Sequence, residues 1–180
     1  MAYGLAFAEK LNGIFAIAIW DAEEEQLVLC RDRVGVKPLF FTIKDEILVF
    51  GSEAKALFCH PQIRPEADWD SFREIFGVGP AMTPGCGVFK DVQEIKPGHI
   101  GVFPRRGFET HCYWGLEARP HTETYPQTVE KVSRLLRDAV HRQMVSDVPV
   151  CSFLSGGVDS SVVTALVSDF LQEQGKELNT

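Results

Sequence analysis

One heptapeptide, Ser155-Gly156-Gly157-Val158-Asp159-Ser160-Ser161, limits what this chain can fold into more than any other stretch. It follows a mostly apolar run at 148–154 and opens a helical pattern at 158–171. The apolar run lacks polar alternation, as expected of a parallel strand buried on both faces. Gly156 and Gly157 have no Cβ, so the backbone can turn tightly and a ligand can come close. The helix that follows presents free N–H groups and the positive end of its dipole at the same point. The hydroxyls of Ser155, Ser160 and Ser161 add donors for phosphate oxygens. Asp159 either holds Mg²⁺ beside those phosphates or braces the turn. The bland alternative, a tight connection with no ligand, suits an isolated Gly-Gly better than the whole string. The chain has no Gly-x-x-x-x-Gly-Lys-Ser/Thr sequence, which excludes a Walker-type loop.

Upstream, turn residues divide the chain into short strands. A helix tail at 3–11 ends at Asn12-Gly13. Runs at 14–20 and 27–31 predict one hairpin, and runs at 39–43 and 47–50, around Lys44-Asp45-Glu46, a second. Ser52 is placed to cap a helix starting at Glu53. Residues 59–97 are irregular and rich in Pro and Gly, with one short helix predicted at 69–76. Strands are expected at 100–103 and 110–113. The polar, proline-containing stretch at 117–126 is the best linker. Val129, Val132, Leu136, Ala139 and Val140 then recur with the period of an amphipathic helix. The chain reads as a β-rich part followed by an αβα part, joined near residue 120.

The formal net charge of −7 argues against broad nucleic-acid binding, which needs a basic face. Cys30, Cys59, Cys86, Cys112 and Cys151 are far apart, without a Cys-x-x-Cys pair. Neither a disulfide framework nor a zinc site is expected; five half-buried thiols in a reducing, cytoplasmic setting are. The first residues lack the basic and apolar regions of a signal peptide. The longest apolar run, at 14–20, is far shorter than the ~20 residues of a membrane span.

Val148-Pro149 through Ser161 resembles the pyrophosphate loop of asparagine synthetases, members of the ATP-pyrophosphatase superfamily. Leu11-Asn12-Gly13-Ile14-Phe15-Ala16, Arg31-Asp32-Arg33-Val34-Gly35-Val36-Lys37-Pro38-Leu39, Ser52-Glu53-Ala54-Lys55-Ala56-Leu57 and Lys96-Pro97-Gly98-His99 resemble the second half of a class II glutamine amidotransferase domain. The resemblance implies a partial α+β sandwich of N-terminal-nucleophile type at 1–117. At 118–180 it implies the start of a doubly wound α/β domain that is adenine-nucleotide alpha-hydrolase-like. It also implies an ATP-dependent carbon–nitrogen ligase. ATP adenylates the β-carboxylate of aspartate, and ammonia from glutamine displaces AMP to give asparagine. ATP and Mg²⁺ are the implied cofactors, and a homodimer of the full-length enzyme the implied assembly. Phe153, Leu154, Ser155, Gly156, Gly157, Asp159 and Ser160 would contact ATP, Asp159 would also face Mg²⁺, and Ile14 would line an ammonia passage. The alternatives are a relative that amidates or cyclises another carboxylate, such as a β-lactam synthetase-like ligase, and a non-catalytic nucleotide-binding fragment.

The chain departs from that pattern most plainly at its start. Class II amidotransferases use a cysteine directly after the initiator Met, whose α-amine serves as base. Here Ala2 stands there, and the first cysteine is Cys30. No catalytic residue is therefore assigned, and the chain is expected to be an internal fragment with neither glutaminase nor synthetase activity of its own. Arg31 and Asp32 are expected to brace the turn before Gly35. Glu53 and Lys55 are expected to support the sandwich interior or its junction, and His99 to act as a structural donor.

Overall fold

The computed structural model describes residues 3–105 and 107–180 and divides the chain into two units, Met1–Glu117 and Ala118–Thr180. In the first unit a 3₁₀ turn, Gly4–Ala6, runs into a short helix α1 (Phe7–Lys10) that buries Ala8 and ends where Leu11 becomes extended. Strands β1 (Ala16–Asp21) and β2 (Gln26–Arg31) form the first hairpin. Strands β3 (Phe40–Lys44) and β4 (Ile47–Gly51) form the second. Lys44 pairs with Ile47, so the turn is only Asp45-Glu46, with φ of 48° and 64°. Two left-handed residues match a primed turn to the twist of the flanking strands.

Helix α2 (Ala54–Leu57) follows β4. Its N-cap is Glu53 rather than Ser52, and no side chain caps it. The Glu53 carboxylate instead pairs with Lys55 Nζ at 2.5 Å. Helix α3 (Trp69–Arg73) starts from a capping box between Asp68 and Ser71. It passes into a π turn at Glu74–Val78, so the helix expected at 69–76 changes its winding part-way. Strands β5 (Gln93–Glu94), β6 (His99–Phe103) and β7 (Glu109–Cys112) complete the unit. All pairings are antiparallel, in two sheets of order β1-β2-β6-β7 and β4-β3-β5.

Strand β2 explains how the layers hold together. Its side chains alternate by the period of two, and both faces are buried. Val28 and Cys30 meet Ala8, Ile100 and Val102, while Leu29 joins Leu39, Phe41, Ile95 and Phe103. Phe41 and Phe103 meet edge-on at 5.2 Å, and Phe108 stacks on Phe103 at 4.6 Å. Each such ring contributes roughly 1.5–3 kcal/mol by leaving water. Gly101 lets the layers close, since a Cβ there would lie 2.7 Å from Ile95 Cδ1.

In the second unit Thr124 and Gln127 make a capping box for α4 (Tyr125–Gln143), with Pro126 in the first turn. Helix α5 (Val158–Glu173) packs on it, His141 meeting the Phe170 ring at 4.4 Å. The run at 148–154, read from sequence as a buried parallel strand, is not one. It forms a single parallel bridge, Cys151 to Asn179, and Phe153 is 92% exposed. A parallel strand is buried by strands on its edges and helices on its faces. Among the described residues this stretch has only that one bridged neighbour. The doubly wound sheet expected for 118–180 is accordingly reduced to two helices and a bridge. The five cysteines also differ from expectation. Cys30 is buried and Cys86 half-buried, but Cys59, Cys112 and Cys151 are exposed, and all are free.

Candidate functional site

Two stretches hold clustered polar groups beside glycines, one in each unit. In the first unit Arg31 closes β2, and its guanidinium is almost fully used. Nε donates to Lys37 O, Nη1 to Ile95 O and Nη2 to Gly35 O, each at 2.8 Å. Nη1 also meets Glu94 Oε2 at 2.7 Å, with both side chains 7% exposed. Asp32 accepts from the backbone N–H of Val36 at 3.0 Å and of Lys37 at 2.9 Å. Its own backbone ties Phe15, Gly35 and Gly98 together. Burial acts to raise the Asp32 pKa, but the N–H groups of Lys37, Val36, Gly35 and Phe15 outweigh it and hold the carboxyl below its ordinary value.

Glycine is required twice in this network. Gly35 has φ +71°, and a Cβ would come within 2.7 Å of Pro97. Gly98 has φ +67°, and a Cβ would sit 2.3 Å from Trp114 O. Tyr113 donates its hydroxyl to Arg31 O at 2.7 Å, and burial pushes its pKa to about 12. Burial likewise raises the Cys30 thiol to about 12, so it stays protonated and unreactive. Arg31, Asp32 and Glu94 have their side-chain groups spent internally and function as a brace, as read from Arg31-Asp32. The buried Nε of Arg33 in the same turn has no partner among the described residues. Sequence reasoning missed Glu94 and Tyr113, because nothing local marks a partner so far along the chain. His99 is a structural group, with Nδ1 2.8 Å from Pro97 O. Glu53 and Lys55, expected to support the interior or the domain junction, are not interior: they are surface residues paired with each other. Ile14 precedes β1 and is 47% exposed.

The second stretch is the turn before α5. Gly156 has φ +83° with open space where a Cβ would be, and Gly157 is an N-cap whose helix end no side chain satisfies. The first-turn N–H groups of such a helix have no intrahelical partner. Ser155 Oγ lies 3.0 Å from Ser160 Oγ, while Ser160 Oγ and Ser161 Oγ donate to Gly157 O at 3.1 and 2.8 Å. Asp159 is exposed in the first turn. Leu154, Ser155 and the glycines are exposed too, so the turn is accessible from solvent. No cluster of three or more potential metal ligands exists among the described residues, so Asp159 stands as a single carboxylate. Open helix N–H groups, hydroxyls and a Cβ-free turn fit a polyphosphate with its own cation.

The same two stretches align with known proteins. Residues 1–114 match the glutamine amidotransferase domain family, and residues 131–180 match the asparagine synthase family. This chain belongs to the glutamine amidotransferase family, joined to an asparagine synthase segment. It is 48% identical to the glutamine-hydrolyzing asparagine synthetase 3 of Bacillus subtilis over 168 residues, 93% of this chain and 27% of that protein. It is 34% identical to asparagine synthetase 2 of the same organism over 178 residues, 92% of this chain and 24% of that protein. A fungal relative, amidase chry2 of Gibberella zeae, is 33% identical over 179 residues, 97% of this chain and 26% of that protein. The chain thus spans about a quarter of the length of these relatives. The brace lies in the glutamine amidotransferase match and the open turn in the asparagine synthase match. Among the described residues, no helix is long and apolar enough to cross a membrane.

Proposed function

We propose that this chain is part of a glutamine-dependent asparagine synthetase and that the 155–161 turn binds the phosphates of ATP. The single observation that carries the reading is the uncapped N-terminus of α5 beside the hydroxyls of Ser155, Ser160 and Ser161. On this reading residues 1–117 are the later part of an amidotransferase domain of N-terminal-nucleophile type. Residues 118–180 open a doubly wound ATP-pyrophosphatase domain. In the whole enzyme ATP adenylates the aspartate β-carboxylate, and ammonia from glutamine displaces AMP. The setting is cytoplasmic and the assembly a homodimer.

The residues of the turn would act by placing donors where charge develops. First-turn N–H groups of α5 and the hydroxyls of Ser155 and Ser160 would hold the β- and γ-phosphates. Those hydroxyls would exchange their mutual bond and the bond to Gly157 O for phosphate oxygens. Phe153 and Leu154, exposed ahead of the turn, would border the nucleotide. Asp159 would hold Mg²⁺, which neutralises charge on the departing pyrophosphate. A carboxylate beside the phosphate site would otherwise repel the ligand. Ile14, exposed in the first unit, would line the route taken by ammonia. No catalytic nucleophile is assigned in this chain.

A second reading, amidation of a different carboxylate, is kept because two relatives at 33% and 34% identity carry the name amidase rather than asparagine synthetase. Isothermal titration of the chain with inorganic pyrophosphate, with and without Mg²⁺, tests the phosphate site. Saturable binding that strengthens with Mg²⁺ is expected; no binding under either condition would overturn the assignment. In a complete synthetase containing this segment, comparing aspartate with other carboxylates separates the two readings.

A further inference from the structure

Ser152 and Thr164 have no part in the reading above, yet their hydroxyl oxygens lie 2.6 Å apart. Both residues are half-buried. Ser152 sits ahead of the glycine turn, and its backbone N–H donates to Asn179 O at 3.1 Å. Thr164 lies on α5 beyond the turn that faces the phosphate site. The chain between them holds Gly156, in open space at φ +83°, and Gly157, which no side chain caps. Glycine-containing turns lose the most conformational entropy on ordering. Only a few side-chain contacts restrain this one. The Ser155–Ser160 bond, 3.0 Å long, is made by the hydroxyls that phosphate would recruit, so it is given up on binding. Ser152 and Thr164 are not among the hydroxyls assigned to phosphate, so their bond need not be given up on binding.

We propose that the Ser152–Thr164 hydroxyl pair is a positioning clasp that fixes the end of the 148–154 segment against α5 and so preorganises the phosphate turn. The inference rests on the phosphate reading of that turn. Ser152 and Thr164 touch no ligand in this scheme and act through the backbone they hold. A bond anchored at both ends suits that role. The Asn179 carbonyl holds the Ser152 backbone, leaving its hydroxyl to reach the helix. Preorganising a loop in its bound geometry improves affinity by reducing the ordering required on binding. Loss of one neutral hydrogen bond corresponds to a change of about fivefold to tenfold.

The experiment has two arms on the intact chain. In the first, amide exchange at Ser152 and Ser161, whose N–H groups bond to Asn179 O and Gly157 O on either side of the turn, is followed without ligand. Thr164→Val should speed it about fivefold, and Thr164→Ser, which keeps the hydroxyl, should restore it. In the second, inorganic pyrophosphate with Mg²⁺ is titrated into wild type, Ser152→Ala, Thr164→Val and the double variant. Each single change should weaken binding about fivefold, and the double should be no weaker than either, because they remove the same contact. Additive losses, or failure of Thr164→Ser to restore exchange, would overturn the clasp. If Thr164→Val lost its thermal transition while Thr164→Ser kept normal exchange and affinity, the hydroxyl would still be assigned. If Thr164→Ser also unfolded, the clasp would be rejected. Absence of pyrophosphate binding by wild type, with the exchange arm as expected, would reject the phosphate reading and leave the clasp. Normal binding by every variant would reject the clasp and leave the phosphate reading.

Discussion

The turn at 31–37 and the turn at 155–161 look alike as text and opposite as structures. Each has a left-handed glycine, an aspartate and several donors near a secondary-structure end. In the first, Arg31, Asp32 and Glu94 are buried and bonded to one another or to backbone. In the second, Ser155, Gly156 and Asp159 are exposed and the helix end is uncapped. Polar residues around a glycine therefore do not by themselves mark a site. What separates a brace from a binding site is whether the donors are already spent.

The largest effect that tests this contrast should come from Arg31→Ala. It would leave the Glu94 carboxylate buried without its partner and several carbonyls without a donor. Breaking a buried pair on one side costs roughly 3–5 kcal/mol. Urea unfolding should show the first unit destabilised by that order. A change within ~0.5 kcal/mol, the range of ordinary surface substitutions, would mean the brace is dispensable.

Asp159→Asn should do the reverse. The side chain is exposed, so chain stability should stay within ~0.5 kcal/mol. In a complete synthetase containing this segment, asparagine formation should fall by ~10²–10³, the usual loss for one transition-state charge contact. Glutaminase activity should be nearly unchanged. Near-normal synthesis with normal Mg²⁺ dependence would make Asp159 a brace like Asp32 and erase the contrast.

The two left-handed glycines sharpen it further. An alanine at φ above zero costs about 1–2 kcal/mol from backbone strain alone. Gly156→Ala should cost no more than that, because nothing lies within 4 Å of the added Cβ. Gly98→Ala should cost clearly more, since its Cβ would meet Trp114 O at 2.3 Å. Equal losses in thermal melts of the two variants would contradict the difference in packing.

The smallest effect is in pH. The Asp32 carboxyl titrates below its ordinary value in the folded chain. It therefore binds a proton less readily folded than unfolded, where the value is about 3.9. Its contribution is complete above that unfolded value and is lost as pH falls through the lower folded one. Denaturation of wild type between pH 6 and pH 3 should show this loss, and Asp32→Asn should flatten it. A profile identical in wild type and variant would remove Asp32 from the acid response.

Much of this was legible in the sequence because it depends on local chemistry. The helix tail expected before Asn12-Gly13 is there, though it already ends at Lys10; Asp45-Glu46 turns the second hairpin, and the 3.6 period beginning at Val129 gives α4. That 148–154 is not a strand was not legible, because burial of a parallel strand is supplied by its neighbours, and among the described residues the stretch has only the Cys151–Asn179 bridge. Glu94 was hidden for a related reason: its partner Arg31 is brought to it by the β3–β5 and β2–β6 pairings, not by sequence spacing. Ser52 had the right chemistry for a cap, but the helix began one residue too late to use it. In the turn at 155–161 the residue types were readable as donors. Their hydrogen-bond partners, such as Thr164 for Ser152, were not.

The geometry around Arg31 also sets which amino acids that position can accept. Three nitrogens of one flat group reach Lys37 O, Ile95 O, Gly35 O and the Glu94 carboxylate. A lysine would keep the positive charge and could still meet Glu94. Its single nitrogen cannot span acceptors arrayed around the edge of a guanidinium plane. Charge conservation is thus the wrong rule here. The position selects for the shape of the cation, and a like-charged replacement would fail nearly as badly as a neutral one.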